Sequence, residues 1–189
     1  MRAEFDKYSE ILKKWQKSVN LVSPDSLLDL ERRHFDDSAQ LADYIPANTK
    51  IIDMGSGAGF PGAVLAILGY DVTCVESDQK KCAFLSELKH ELRLDSLTVV
   101  NDRLEKYIEK AGISYENTGF TARAFAPLPK IMEILSKTVQ KGRFFLLKGR
   151  QINDEIATAK MKFDFDYQLF PSKTGDGFVF VAEFNGPKN

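Results

Sequence analysis

The stretch that most constrains the fold of this chain is a short apolar run followed by an acid and a cluster of glycines, at residues 50–62. Ile51 and Ile52 suit a buried parallel strand, and the glycines permit a sharp turn and a close approach to the backbone. Apolar residues 63–68 then predict a helix that ends at Gly69. A strand, a tight loop and a helix start in this order predict an α/β sheet, with backbone N–H groups of the loop free for a polar cofactor.

The spacing of the glycines leaves two classes of cofactor open. Gly57, Gly59 and Gly62 satisfy the dinucleotide pattern G-x-G-x-x-G, which would indicate hydride transfer. The fuller pattern, D-x-G-x-G-x-G from Asp53 to Gly59, resembles the first motif of class I S-adenosylmethionine-dependent methyltransferases. Because the dinucleotide pattern has no acid at that position, the sequence favours S-adenosylmethionine. A third interpretation is that the glycines only make a tight turn.

Length and composition describe one well-buried domain with a small appendage. The chain has 189 residues, of which 43% are hydrophobic and 28% charged, and its net charge is −1. It shows no apolar run of membrane-spanning length and no signal peptide, which predicts a cytoplasmic protein without membrane contact. Cys74 and Cys82 lack metal-ligand spacing and are expected to be buried, reduced thiols on a strand and the next helix. The small net charge predicts that any RNA contact comes from a local basic patch.

The pattern along the chain predicts two units. Apolar residues from Phe5 to Val19 recur at intervals of three and four, and a second helical segment ends before Pro46, so residues 1–46 are expected to form a helical subdomain. In residues 47–189 strands alternate with helices, which predicts a Rossmann-like open sheet, mostly parallel with an antiparallel last strand. Strands are expected at residues 51–52, 71–76, 97–100, 120–126, 143–148, 163–170 and 178–184, and helices after Asp78 and over residues 130–140.

Two positions beyond the glycine loop fall at the carboxyl end of the predicted sheet. Glu76 ends the second strand, 21 residues beyond Gly55, where an acid can accept hydrogen bonds from both hydroxyls of a ribose. Ribose is part of S-adenosylmethionine as well as of NAD, so Glu76 supports either cofactor. Residues 101–105 follow the third strand, at the edge of the sheet where cofactor loops gather.

Basic residues concentrate between residues 123 and 151. This stretch contains seven Lys and Arg residues and a single acid, Glu133, so its net charge is +6. The alternation of strand, helix and strand splits the cations between the two ends of the sheet. Arg123, Lys130, Lys148 and Arg150 are expected on the cofactor's side, and Lys137, Lys141 and Arg143 at the opposite end. Four cations around a cofactor site suit a polyanionic substrate, and an ordinary charged surface is the alternative.

Five motifs together resemble one family, RsmG or GidB, the bacterial 16S ribosomal RNA guanine-N7 methyltransferases. The motifs are W-x-x-x-x-N-L from Trp15 to Leu21, H-F-D-D-S from His34 to Ser38, the glycine loop with its F-P-G end, R-A-F-A from Arg123 to Ala126, and Lys148-Gly149. The resemblance covers most of the chain. The family usually carries more residues before the tryptophan helix than this chain does.

The resemblance implies a class I methyltransferase fold and a set of cofactor contacts. It implies that Glu76 binds the ribose and that Leu104 and Glu105 bind adenine, largely through backbone and packing. The residues expected at S-adenosylmethionine are Asp53, Gly55, Gly57, Phe60, Glu76, Leu104, Glu105 and Arg123. Those expected at RNA are Lys130, Lys148 and Arg150.

The implied reaction is methyl transfer to N7 of a guanine in 16S ribosomal RNA, on the free RNA or on the small ribosomal subunit. Guanine N7 already carries an in-plane lone pair, so no general base, catalytic residue or metal is expected, and rate should come from proximity and orientation. No obligate protein partner is inferred. His34 is expected to be a structural hydrogen-bonding residue between the helical segment and the domain, and His90 a surface residue.

Three rival functions fit parts of the pattern. The first is a methyltransferase of the same fold acting on a protein or a small molecule, because a fold does not fix its acceptor. The second is a nicotinamide-dependent oxidoreductase, and the third is a module that binds a cofactor or RNA without catalysis. The basic residues at the cofactor's side argue against the first of these.

Overall fold

A single seven-stranded sheet organises the computed structural model, which describes residues 2–113 and 117–188. The strands are β1 (Lys50–Met54), β2 (Asp71–Glu76), β3 (Leu97–Asn101), β4 (Thr118–Arg123), β5 (Gly142–Lys148), β6 (Phe163–Pro171) and β7 (Phe178–Pro187). Their order in the sheet is β3-β2-β1-β4-β5-β7-β6. The strands predicted from the apolar runs are therefore all present.

The sheet is parallel except at one strand. β1 pairs in parallel with β2 and β4, and β2–β3 and β4–β5 are parallel as well, whereas β7 runs antiparallel to both β5 and β6. The predicted fold class, with an antiparallel last strand, is confirmed. The hairpin pattern alone did not indicate that β7 lies between β5 and β6 and leaves β6 at the edge of the sheet.

Helices cover both faces of the sheet, as parallel strands require. Short helical turns at Pro24–Asp29, Glu31–Asp36 and Gln40–Asp43 flank a three-residue α-helix, Asp37–Ala39. We call residues 24–43 the short-helix segment. Asp78 caps the helix that begins at Gln79, as predicted, because its Oδ1 accepts from the N–H groups of Lys80 and Lys81. The α-helices are α1 (Arg2–Gln16), α2 (Asp37–Ala39), α3 (Gly62–Ile67), α4 (Gln79–Leu92), α5 (Leu104–Ala111), α6 (Leu128–Leu135) and α7 (Ile152–Lys160).

Each face of the sheet has its own apolar core. One core joins α3 and α4 to α1 and the short-helix segment, and Tyr8 and Leu12 of α1 lie in it beside Phe84 and Leu85 of α4. The other core lies under α5, α6 and α7 and contains Phe120. The helical residues 2–43 thus pack on the same face as α3 and α4, and the division of the chain at residue 46 stays a prediction.

The structure tests the prediction about the two cysteines. Cys74 on β2 and Cys82 on α4 are both buried and free, in agreement with the sequence analysis. Within residues 2–113 and 117–188, no group of His, Cys, Asp and Glu side chains could hold a metal ion. No helix in the same ranges is long and apolar enough to cross a membrane.

Candidate cofactor site

The glycine loop after β1 is tied to β2 by its own backbone. Gly55, Gly57 and Gly59 have φ values of 66°, 55° and 84°, which L side chains rarely adopt, so the loop needs glycine at these positions. The N–H groups of Gly55 and Ser56 donate to the Val75 carbonyl at 2.9 and 3.2 Å. The loop consequently folds back over the carboxyl end of β2.

Asp53 supports the loop from below. Its side chain is fully buried; Oδ2 accepts from the Gly62 N–H at the start of α3, at 3.2 Å, and Oδ1 accepts from the Thr121 hydroxyl at 3.1 Å. A Cβ on Gly62 would lie 2.6 Å from Asp53 Oδ2, so only glycine lets α3 approach this carboxylate. Burial raises the pKa of Asp53 to about 6, against hydrogen bonds from Ser56, Thr121 and Gly62 that lower it.

The expectation that the loop offers free N–H groups is wrong for most of its residues. Besides Gly55, Ser56 and Gly62, the Gly57 N–H donates to Glu76 Oε2 and the Gly59 N–H to the Ser56 carbonyl. The physical reason is that acceptors of the protein itself lie beside the loop: two backbone carbonyls, the Glu76 carboxylate and, at the N-terminus of α3, the Asp53 carboxylate. A dinucleotide's pyrophosphate binds at that helix terminus, so the arrangement disfavours the oxidoreductase alternative.

Glu76 is the second acid that shapes the loop. It is 7% exposed; Oε2 accepts from the Gly57 N–H at 2.8 Å and Oε1 from the Asp78 N–H at 2.9 Å. A carboxylate has about four acceptor positions, so two remain for hydroxyl groups of a ligand. Glu76 can therefore hold the loop and bind a ribose at the same time.

A cavity of about 360 Å³, which we call the cofactor cavity, opens at the carboxyl ends of β1 to β4. This volume falls in the range of small-molecule sites. Asp102 contributes a carboxylate whose pKa is held below its usual range by a hydrogen bond from Lys110. The lining residues are Gly55, Val75, Glu76, Ser77, Lys81, Asp102, Arg103, Leu104, Glu105, Ala124 and Phe125. Acidic acceptors, backbone and an apolar wall suit the ribose and adenine of S-adenosylmethionine.

The structure separates the predicted cofactor residues into two groups. Gly55, Glu76, Leu104 and Glu105 line the cofactor cavity. The other four, Asp53, Gly57, Phe60 and Arg123, are not among its lining residues. Asp53 lies beneath the loop and Gly57 bonds to Glu76, so both shape the site from behind.

Sequence reasoning missed the residues that follow β4. Ala124 and Phe125 line the cavity, and a Cβ on Gly55 would lie 2.3 Å from the Phe125 ring, so this aromatic side chain packs directly on the loop. Extending to β4 the rule that ligand sites gather at the carboxyl ends of strands would have found them. Ser77 and Lys81, which follow β2, were missed as well, whereas Arg103 lies in the stretch 101–105 that the sequence placed at this edge of the sheet.

Phe60 and Arg123 form the junction between the sheet and the short-helix segment. The Phe60 ring stacks on Tyr8 of α1 and on His34, with centroids 5.3 and 4.7 Å apart. The Arg123 guanidinium lies 4.9 Å from the Phe60 centroid and donates to Asp37 Oδ2 at 3.4 Å and to the Arg33 carbonyl at 2.9 Å. Their assignment to the cofactor stays a prediction, and the contacts shown are structural.

His34 takes the structural position that was predicted for it. Its Nδ1 lies 2.6 Å from Arg123 Nη2, and because a guanidinium can only donate, Nδ1 accepts and the proton resides on Nε2. Burial lowers the pKa of His34 to about 4, with smaller contributions from Arg123 and Arg33. His34 is thus a neutral imidazole at physiological pH.

The three predicted RNA-binding cations differ in availability. Lys130 and Arg150 are exposed and pair with Glu133 and Asp176 at the surface. Lys148 is only 8% exposed, and its Nζ lies 2.6 Å from Glu155 Oε2 and donates to the Ala126 carbonyl at 3.0 Å. Two of the three therefore present charge to solvent, whereas Lys148 is committed to a mostly buried ion pair.

Comparison with known proteins gives the family. The profile described as GidB, rRNA small subunit methyltransferase G, matches residues 1–174. The chain belongs to this family. It is 38% identical to the Ribosomal RNA small subunit methyltransferase G of Gluconobacter oxydans (strain 621H), over 95% of this chain and 92% of the relative. It is also 38% identical to the Ribosomal RNA small subunit methyltransferase G of Rickettsia prowazekii (strain Madrid E), over 91% of this chain and 88% of the relative.

Solved structures support the same fold. A mutant of MtNAS in complex with S-adenosylmethionine matches with a TM-score of 0.65 and 16% identity, over 98% of this chain and 76% of that chain. An rRNA methylase from Streptococcus thermophilus matches with a TM-score of 0.55 and 17% identity, over 78% and 93%. These identities carry the fold alone. They confirm a class I methyltransferase fold. Membership of the rRNA small subunit methyltransferase G family confirms S-adenosylmethionine as the cofactor.

Proposed function

We propose that this chain transfers a methyl group from S-adenosylmethionine to N7 of one guanine in 16S ribosomal RNA, as free RNA or in the small ribosomal subunit. Membership of the rRNA small subunit methyltransferase G family supports the RNA substrate. The observation that carries the choice of cofactor is that the protein's own acceptors already bind the N–H groups that a pyrophosphate would need, that of Gly57 at Glu76 and that of Gly62 at Asp53. The reaction would take place in the cytoplasm.

Residues of the cofactor cavity divide the recognition of the cofactor between them. Glu76 would accept from the ribose hydroxyls with the acceptor positions that Gly57 and Asp78 leave open. Leu104 and Glu105, in the first turn of α5, would hold the adenine by packing and backbone contacts. When bound, S-adenosylmethionine supplies a methyl group on a positively charged sulfur.

The chemistry asks for placement more than for a catalytic side chain. S-adenosylmethionine would supply the methyl group and keep the electron pair of the bond it gives up, and the N7 lone pair would form the new bond. No proton has to leave N7 first, so the protein needs no general base. The neutral, buried His34 agrees with this, because its Nδ1 is taken by Arg123. Holding the two reactants in line accounts for the rate.

The experiment that tests the proposal maps methylated guanines in small-subunit RNA from cells with and without the gene for this chain. One guanine is expected to lose its N7 methyl group when the gene is deleted and to regain it on complementation. Complementation with a Glu87→Ala variant, a change at a partly exposed acid of α4 outside the cofactor cavity, is the matched control for a Glu76→Ala variant. An unchanged methylation map in the deletion strain would contradict the proposal.

A further inference from the structure

A second cavity, of about 300 Å³, lies beside the cofactor cavity and shares Ala124 with it. We call it the acceptor cavity. The short-helix segment, the ends of β4 and β5, and the turn between β6 and β7 form its walls, through residues that include Asp37, Leu147, Thr174 and Phe178. Ala124 has a φ of 51° at the boundary between the two cavities. Left-handed backbone is uncommon at residues other than glycine, and such residues cluster at functional sites.

The proposed methylation at N7 limits how a guanine can be recognised. N7 and O6 lie on one edge of the base, and arginine or lysine commonly binds that pair. A donor on N7 would occupy the lone pair that has to react. Recognition is therefore left to the opposite edge, which presents the N1–H and the 2-amino group. Both groups are donors, so the protein must supply an acceptor there.

Asp37 is the sole carboxylate among the described residues that line the acceptor cavity. Its side chain is 19% exposed. Oδ1 accepts from Gln40 Nε2 at 2.9 Å and from the Thr174 hydroxyl at 2.7 Å. Oδ2 accepts only the long bond of 3.4 Å from Arg123 Nη1. The carboxylate is oriented by three neighbours and keeps acceptor capacity on Oδ2.

We infer that the acceptor cavity holds the target base and that Asp37 accepts hydrogen bonds from its N1–H and 2-amino group. This inference rests on the proposed function. Ala124 lines both cavities, whereas Asp37 lines the acceptor cavity and not the cofactor cavity. A base whose N7 points toward Ala124 therefore turns its N1 edge away from the cofactor. Adenine would present a lone pair at N1, which a carboxylate repels. Asp37 would thus determine specificity for guanine, and the half-buried Phe178 would offer the base an apolar face.

Inosine tests this role because it keeps N7 and N1–H and lacks only the 2-amino group. Once the methylated guanosine is mapped, small-subunit RNA with inosine at that single position is compared with the natural RNA by kcat/KM for methyl transfer. The wild-type enzyme is expected to be about 10- to 100-fold slower on inosine, the factor for one hydrogen bond to a charged group. Asp37→Asn should slow guanosine methylation by a similar factor and reduce the guanosine-to-inosine ratio to about threefold. Asp36→Asn, an exposed neighbour outside the cavity, should keep the wild-type ratio.

Two results would overturn the inference. One is equal methylation of guanosine and inosine by the wild-type enzyme, which needs no variant to fold. The other is a wild-type ratio in an Asp37→Asn variant that binds S-adenosylmethionine with unchanged affinity. Failure of the proposed function is distinguishable from both results. In that case the wild-type enzyme would methylate N7 of no guanine, in the natural RNA or in the RNA with inosine.

Discussion

Replacing Asp53 by asparagine tests whether this buried acid links the stability of the fold to pH. Asparagine has nearly the same shape, its Oδ1 can accept from the Gly62 N–H, and its amide can donate to the Thr121 hydroxyl, which then acts as acceptor. The variant therefore removes the titration of Asp53 while keeping its contacts. Any difference in pH dependence between the two proteins comes from this one carboxyl group.

The magnitude follows from the shift in pKa. The pKa of Asp53 is raised from 3.8 to about 6, so the folded protein binds the proton more tightly than the unfolded chain does. The stabilisation by protonation is complete below the unfolded pKa and is lost as pH rises through the folded pKa. The full loss is about 3 kcal/mol, and about 2 kcal/mol of it falls between pH 4.5 and 7.5.

Urea unfolding at several pH values between 4.5 and 7.5 measures the effect. The free energy of unfolding of Asp53→Asn minus that of the wild type should rise by about 2 kcal/mol over this range. Asp71→Asn, an exposed acid at the start of β2, is the matched control. A flat difference would refute the reasoning. A difference that falls with pH would mean that the hydrogen bonds to Asp53 outweigh its burial.

Three further predictions concern the loop, the cofactor and RNA. Gly59→Ala should lower the free energy of unfolding by about 2 to 5 kcal/mol, because φ is 84° and a Cβ would lie 2.5 Å from the Tyr8 hydroxyl. Gly57→Ala, whose nearest atom would be 3.8 Å away, should cost about 1 kcal/mol in the same urea titrations, and equal costs would contradict the packing argument. Glu76→Ala should weaken S-adenosylmethionine binding in calorimetry by about 2 kcal/mol, and Glu87→Ala should not, so an unchanged Kd in a folded Glu76→Ala variant would remove Glu76 from the site. Lys130→Gln with Arg150→Gln should flatten the slope of log RNA affinity against log salt concentration by about 1.4 to 1.8. The control pair, Lys137→Gln with Lys141→Gln, should leave the slope nearly unchanged. Equal effects of the two pairs would mean that the basic residues attract RNA only through the overall electrostatic field. Lys148 is left out of this test because removing one partner of its buried ion pair with Glu155 would destabilise the fold.

The glycine-loop motif does not indicate which base accepts the methyl group. The motif from Asp53 to Gly59 indicates a cofactor, and the family indicates ribosomal RNA as the substrate. The proposed selection of one base by Asp37 depends on groups that come from distant parts of the chain, because Thr174 helps to orient that carboxylate through a hydrogen bond of 2.7 Å. The sequence around Asp37 and around Thr174 does not predict that these two residues are in contact.

The sequence by itself determined the strands, the glycine loop, the cap of α4 at Asp78 and the acid at Glu76. These features follow from local chemistry: apolar runs form strands, positive φ requires glycine, and a carboxylate caps the N–H groups two and three residues away. The tertiary structure alone decided which loop N–H groups are taken, where β7 inserts, and that Lys148 is mostly buried against Glu155. It also decided that Arg123 meets His34, 89 residues earlier in the chain. The physical reason is that hydrogen bonds and burial depend on which side chains the fold brings together, and sequence spacing does not contain those distances.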